Sequence, residues 1–299
     1  MTRCATSVTT VVLMIITPVL AAAHTGEPLE PHDLWRAWSF EPGTVLPLVV
    51  TALLYLRGTH GPARASSAQA GCFWAGWSVL ALSLVSPVHS LGGVLFSAHM
   101  VQHELLMLVA APLLVLSRPL APFVRGLPFA WRRAAGRWSK TNWVRPMWRR
   151  LTEPLTAWLL HAAALWIWHA PALFQATVDS ETVHAAQHLS FLLTALLFWW
   201  SLIYAQGRAG YGAGVVYIFT TAVHTSILGA LLTFSPVVWY PIYRETTRVW
   251  GLTPLQDQQI GGLVMWIPAG VLYLAAGLAL FAAWLRQSEV ISARSRYAE

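Results

Sequence analysis

Cysteine is nearly absent from this chain. Cys4 stands at the extreme N-terminus, Cys72 lies in an apolar run, and no Cys-x-x-Cys occurs. Two such residues supply neither a disulfide framework nor a thiolate metal site, which argues against a Cys-based copper chaperone or zinc site. Charge is scarce too: Asp, Glu, Lys and Arg make up 10% of the residues, against about 25% in an ordinary soluble domain. Lysine occurs once, at Lys140 in a basic loop, so no Schiff base can form within a helix bundle and a retinal-type photoreceptor is excluded. No Ser-His-Asp order, phosphate loop or paired-carboxylate constellation is found, and His103-Glu104 lacks the second histidine of a His-Glu-x-x-His zinc site. The sequence predicts no enzyme.

What the chain has is apolar length. Hydrophobic residues make up 56%, and Trp, which collects at membrane–water interfaces, occurs 17 times. Arg3, the apolar run Val8 to Leu20 and the Ala21-Ala22-Ala23 ending before His24 form a signal-peptide pattern, so residues 1–23 are expected to be cleaved. Residues 24–40, Pro-rich and with no apolar run, then form a short extracytoplasmic segment. Seven runs of spanning length follow, near 41–57, 70–86, 94–116, 153–172, 184–205, 213–234 and 258–285. Pro47 and Pro268 should kink the first and last. The predicted fold is all-α: a polytopic membrane protein with a seven-helix domain over 41–285 and a cytoplasmic tail over 286–299.

Basic residues orient this bundle. Starting outside, most of the 19 Lys and Arg fall in inside segments, with only Arg36, Arg244 and Arg248 outside and Arg3 in the signal. By the positive-inside rule the mature chain runs N-out, C-in. The richest segment, 117–152, holds Arg118, Arg125, Arg132, Arg133, Arg137, Lys140, Arg145, Arg149 and Arg150, interleaved with Trp131, Trp138, Trp143 and Trp148. A basic, Trp-bearing stretch beside a span lies on anionic headgroups of the lipid bilayer. The net charge of +7 therefore speaks for lipid and topology, not for nucleic acid.

Ionisable groups in hydrocarbon are costly and mark function by default. Five histidines fall at the outer ends of three spans: His99 and His103, His169, and His184 and His188. Two pairs are spaced i,i+4, which puts both imidazoles on one helix face, roughly 6 Å apart along the axis. His89, in the short loop before the third span, can join them. Met107 extends the His103 face by one turn, while Glu104 and Asp257 approach as carboxylates that would orient a ligating histidine. Imidazole suits copper, zinc, iron and nickel, and a nearby thioether favours Cu(I). Copper is therefore the first expectation. A bis-histidine haem is the competitor, though the lack of Cys-x-x-Cys-His excludes covalent attachment, and a structural hydrogen-bonded network is the bland alternative. His161 and His224 lie deeper and are expected to bond between helices.

Ser97-Ala98-His99-Met100-Val101-Gln102-His103 followed by Ala111-Pro112-Leu113-Leu114 resembles the third span of the CtaG family of cytochrome c oxidase assembly factors. Trp168-His169-Ala170-Pro171-Ala172-Leu173-Phe174, His184-Ala185-Ala186-Gln187-His188 and Leu197-Phe198-Trp199 resemble its next two spans. Asp257-Gln258-Gln259-Ile260-Gly261-Gly262-Leu263-Val264-Met265-Trp266-Ile267-Pro268 resembles its last. The resemblance covers about 40–285, leaving His24 and His32 outside it. It implies a seven-helix protein of the bacterial plasma membrane that helps to make an active haem–copper oxidase, with the oxidase subunits as partners and a link to their copper-containing centre.

The reading is then a non-enzymatic assembly factor holding copper with His99, His103, His169, His184 and His188, and with Glu104, Met107 and Asp257 in support. A copper transporter or a haem-binding redox protein is the alternative. The orientation predicts that a reporter active only in the cytoplasm works when fused within 117–152 or after 285 and fails within 235–253. The opposite pattern would refute the topology.

Overall fold

The computed structural model describes residues 29–60, 65–204 and 206–296. The signal-like segment and His24 lie outside these residues. Among the described residues all regular structure is helical. In chain order the helices are α1 (Pro42–Thr59), α2 (Ser67–Val85), α3 (Pro87–Gly92), α4 (Phe96–Glu104), α5 (Ala111–Ser117), α6 (Leu120–Gly126), α7 (Phe129–Trp138) and α8 (Val144–Leu151). They continue with α9 (Pro154–Trp168), α10 (Pro171–Asp179), α11 (Glu181–Tyr204), α12 (Gln206–Phe234) and α13 (Pro254–Arg296). A π-helical turn, Leu105–Ala110, joins α4 to α5 into one span, Phe96–Ser117.

Five segments are long and apolar enough to cross a membrane: Ser67–Val85, Phe96–Ser117, Glu181–Tyr204, Gly210–Phe234 and Pro254–Gln287. A sixth arises if α9 and α10 are taken together. The chain is a multi-pass membrane protein. Two of the seven expected spans differ from the expectation, each for a local reason. The run at 153–172 ends as a helix at Trp168 and turns by 75° into α10: Pro171 disfavours the helical region for the residue before it, and Ala170 is extended (φ −60°, ψ 128°). The run at 41–57 forms α1, 18 residues long, but Pro42, Gly43, Pro47 and Arg57 dilute its apolarity. Pro47 and Pro268 both sit inside continuous helices.

Phe96–Ser117 is the most enclosed of the five spans, with 61% of its apolar window buried against 17–44% for the others. Its π turn follows from one residue. Pro112 has no N–H to donate and its ring would strike the carbonyl four residues back. The helix widens there, and the Ala111 N–H bonds Leu106 O in an i→i−5 step. In that register the Met107 carbonyl would need the N–H that Pro112 lacks. The Trp199 indole of α11 donates to it instead, at 2.8 Å. Trp199 and its neighbours Phe198, Phe191 and Tyr217 pack with Leu106 and Met107 in the main core.

Between helices the approach is set by small residues, as bilayers favour. Gly229 of α12 and Gly262 of α13 face one another so closely that a Cβ on Gly262 would come within 2.8 Å of Gly229 O. Its neighbour Gly261 leaves room for the Phe96 ring and Met100, so the paired glycines seat α12 and the start of α4 against the same stretch of α13. The basic segment includes α7 and α8, which bury no residue; Phe129 and Trp138 of α7 and Trp148 of α8 are exposed, with Arg132 and Arg133 over the Phe129 ring. Helices of this kind lie in the interface plane.

Replacing Trp199 by Phe removes the indole N–H, strands the Met107 carbonyl and leaves a small cavity in the core. The expected loss is about 1–3 kcal/mol, read as a lower thermal unfolding midpoint in detergent; an unchanged midpoint would show that the bond is not needed.

Candidate metal centre

Histidines from four parts of the chain meet at one end of the helices. α3 brings His89, α4 brings His99 and His103, the α9–α10 break brings His169, and α11 brings His184 and His188. The 235–253 segment covers them. Its Tyr240 hydroxyl donates to the His169 carbonyl (2.8 Å), its Tyr243 hydroxyl to the Gly92 carbonyl (2.9 Å), and Thr246 to the Val94 carbonyl (2.7 Å). Phe96, Phe174, Tyr240 and Tyr243 are all at most 2% exposed, and Phe174 lies 4.9 Å from the His99 ring by centroids. An aromatic wall thus closes one side of the cluster to water.

The helix carrying His99 and His103 has no cap of its own, since Leu95 at its N-terminus has no polar side chain. Asp257, 160 residues later at the start of α13, supplies one. Its carboxylate accepts the Phe96 N–H (2.6 Å), the Ser97 N–H (3.1 Å) and the Ser97 hydroxyl. A carboxylate at a helix N-terminus satisfies orphan N–H groups and complements the helix dipole. Asp257 is 0% exposed, and among the described residues its hydrogen bonds go to this turn rather than to a histidine. The expectation that it orients a ligand directly is therefore corrected: Asp257 is a positioning residue that fixes where α4 begins.

Within the cluster the ring centroids of His99 and His103 are 4.4 Å apart, those of His184 and His188 4.1 Å, and those of His103 and His188 5.3 Å. One ring nitrogen each from His99, His103 and His188 lie within 4.8 Å of one another, and so do those of His89, His184 and His188. His169 stands next to His103, centroids 6.2 Å apart, outside either triad.

Their hydrogen bonds leave ligating atoms open. Nε2 of His103, His169, His184 and His188 is buried without a partner, as is Nδ1 of His103. His169 bonds the Leu165 carbonyl through Nδ1 (2.6 Å); donation there leaves the lone pair on Nε2, the tautomer a metal-binding histidine uses. His99 Nδ1 faces the Gly92 carbonyl (3.3 Å) and its Nε2 faces Gln187 Oε1 (3.1 Å). The Gln187 amide nitrogen is itself buried and unpaired. A half-turn of that amide gives His99 Nε2 a donor and pairs both groups. Five orphaned imidazole nitrogens on four buried or half-buried rings are the donor set a metal ion satisfies.

Glu104 and Met107 lie elsewhere than expected. The π turn takes Met107 off the His103 face, and both residues line a separate cavity of about 10 Å³ with His161, Thr225, Met265 and Tyr273. Glu104 Oε2 is buried there without a partner. His161 makes the expected interhelical bond, Nδ1 to Thr194 Oγ1 at 3.2 Å. His224 makes none, both its nitrogens being buried and unpaired.

Sequence reasoning passed over Gln102, Gln187, Tyr240 and Tyr243. The glutamines carried a signal: both i,i+4 pairs are His-x-x-Gln-His, 99–103 and 184–188. Gln187 reaches His99, and the Gln102 amide nitrogen donates to His89 Nδ1 (3.1 Å) and to the Ser83 carbonyl (2.6 Å). The tyrosines, on an irregular segment far along the chain, had no periodic pattern to betray them.

This geometry can be set beside known proteins. The family model of the cytochrome c oxidase caa3 assembly factor (Caa3_CtaG) matches residues 48–287. The chain belongs to that family. Uncharacterized proteins of Mycobacterium bovis and Mycobacterium tuberculosis are each 27% identical to it over 226 residues, covering 73% of this chain and 34% of theirs. One of Mycobacterium leprae is 26% identical over 279 residues, 89% of this chain and 42% of its own. The chain thus spans well under half the length of these curated relatives. No solved structure matches. The matched region contains every histidine of the cluster.

Removing the carboxylate should loosen α4 first. In Asp257→Ala, amide exchange at Phe96 and Ser97 is expected to rise at least about tenfold, in line with the loss of a charged hydrogen bond of about 1.5–3 kcal/mol. Unchanged protection at those two amides would remove the capping role.

Proposed function

We propose that the protein is a non-enzymatic assembly factor of the bacterial plasma membrane that holds copper as cargo and presents it to an oxidase subunit whose copper centre is being built. The observation that carries this reading is the His99–His103–His188 triad, 1%, 1% and 7% exposed, with its ligand atoms within 4.8 Å of one another and unpaired nitrogens on two of the three rings. His169 and His184 stand beside it as further donors. The cost of burying an ion rises with the square of its charge. Among the described residues no carboxylate bonds to these rings, so the donor set is neutral and suits a monovalent ion better than a divalent one. Imidazole with Cu(I) meets both conditions.

The topology that goes with this reading is N-out, C-in with seven spans, counting α1 as the first and the bent α9–α10 pair as the fourth. The cluster then opens to the outer side of the membrane, where an oxidase subunit would receive copper. Haem is disfavoured by packing. A porphyrin needs a flat space between two of these imidazoles, and neighbouring rings at 4.1–5.3 Å fill it. An inward copper path is the second reading, favoured by the cavity that holds Glu104, His161 and two thioethers. At about 10 Å³ it has room for one water-sized occupant.

The deciding experiment is metal and haem content of the detergent-purified chain, with Cu(I) added under reducing conditions, beside a His99→Ala/His103→Ala variant. Near-stoichiometric copper that is lost in the variant, with no Soret band, is the expected result. A Soret band would make the cluster a haem site, and neither copper nor haem would leave assembly as scaffolding. Loss of copper uptake by His224→Ala would favour the inward path over a pure chaperone.

A further inference from the structure

The histidine cluster is larger than the deep triad needs, and its surplus is ordered. His89 and His184 are partly exposed while His99 and His103 are fully buried. His89 is held in place on a short, braced helix. The Ser86 hydroxyl accepts the Val88 N–H at the start of α3 (3.3 Å), Ser90 ties it to the Ala37 carbonyl (2.8 Å), and Tyr243 ties its last residue, Gly92 (2.9 Å). Gln102, which lies between His99 and His103 on α4, donates to the lone pair of His89 Nδ1, a bond it gives up when His89 takes an ion. The His89 ring stacks on His184 at 5.3 Å with an interplanar angle of 8°. From His89 through His184 and His188 to His103 and His99, no step between successive ring centroids exceeds 5.3 Å.

Resting on the copper-handling reading above, we propose that His89, His184 and His188 form a second, rim-side site for the same Cu(I) cargo, and that one ion passes between rim and deep triads by exchanging ligands about His188. A neutral imidazole has a single ligating lone pair. His188 belongs to both triads but serves only one ion at a time, so the two sites are alternatives rather than a binuclear centre. In the exchange the bonds to His89 and His184 break as those to His99 and His103 form, and the bond to His188 persists. No electron is transferred. The Gln187 amide gives up its bond to His99 Nε2 as the ion arrives and recovers it when the ion leaves. The rim triad is where a partner's ligands reach the ion, since the deep triad is walled by Phe96, Phe174 and the tyrosines.

The test uses the full chain in detergent, Cu(I) under reducing conditions, and a coloured Cu(I) chelator as donor and then as acceptor. Wild type is expected to bind one ion per chain. His89→Gln and, independently, His184→Gln should slow both loading and extraction by about tenfold, the scale on which changes around a metal act. His103→Gln should act in the opposite sense, leaving the ion at the rim where the chelator removes it about tenfold faster. His32→Gln, exposed on the preceding segment, is the control. Two ions per wild-type chain would overturn the proposal, as would wild-type exchange rates in both His89→Gln and His184→Gln. Those outcomes leave copper binding standing, whereas a wild type that binds no Cu(I) sinks the copper reading itself.

Discussion

Hydrocarbon offers no water to a backbone N–H or carbonyl that loses its helix partner, and each such group left alone costs several kcal/mol. The places where this chain departs from regular helix show that demand being met from a distance. Pro112 breaks the ladder in the central span, and Trp199 closes it on the Met107 carbonyl. The first turn of α4 has N–H groups with no cap nearby, and Asp257 of the last helix supplies it. The carbonyl of His169, at the end of α9, is taken by Tyr240, and that of Gly92, at the end of α3, by Tyr243. These bonds tie the segments bearing the histidines to α11, to α13 and to the covering segment. The histidine cluster is placed by them rather than by the helices' own apolar packing, which in a bilayer has little preference for one neighbour over another.

Against that background the unpaired nitrogens stand out. A chain that finds partners for displaced backbone groups as many as 161 residues away leaves five buried imidazole nitrogens of this cluster without one, on His103, His169, His184 and His188. Of the two deeper histidines, His161 has its Thr194, whereas His224 is unpaired at both nitrogens. A neutral, dry, nitrogen-rich pocket with orphaned lone pairs is what a ligand shell for a monovalent cation requires, and its cost is offset when the cation is present.

The sequence made the helical class, the number of apolar runs within one or two, and the histidines' shared end legible, because spanning length and i,i+4 spacing are one-dimensional signals. Helix ends were less legible. The 153–172 run read as one span although Pro171 disfavours helix at Ala170, and apolar composition outweighed that local preference. Met107 was assigned to the His103 face on a regular 3.6-residue period, whereas Pro112, itself in plain view, implied the wider turn that moves it. Asp257 was noticed as a carboxylate near the outer end but given a metal-orienting role. Its partners are the Phe96 and Ser97 N–H groups and the Ser97 hydroxyl, about 160 residues away, and backbone groups carry no sequence signature. Tyr240 and Tyr243 were invisible for the same reason, since their partners are carbonyls.

The glutamines show how far a site can be read once its geometry is known. In each His-x-x-Gln-His repeat the histidines point a pair of imidazoles into the cluster while the intervening glutamine reaches across to a different ring. An amide can turn either its oxygen or its nitrogen to an imidazole, so it accommodates a ring whose lone pair is free and one whose lone pair is engaged. A carboxylate in that position would hold one protonation state and add a negative charge that favours divalent ions. Glutamine instead leaves the pocket neutral and the rings exchangeable. On the proposed reading of a carrier that releases its ion, weak and reversible hydrogen bonds around the ligands serve better than strong ones. They stabilise the empty pocket enough to keep it formed without competing with the next acceptor for the ion.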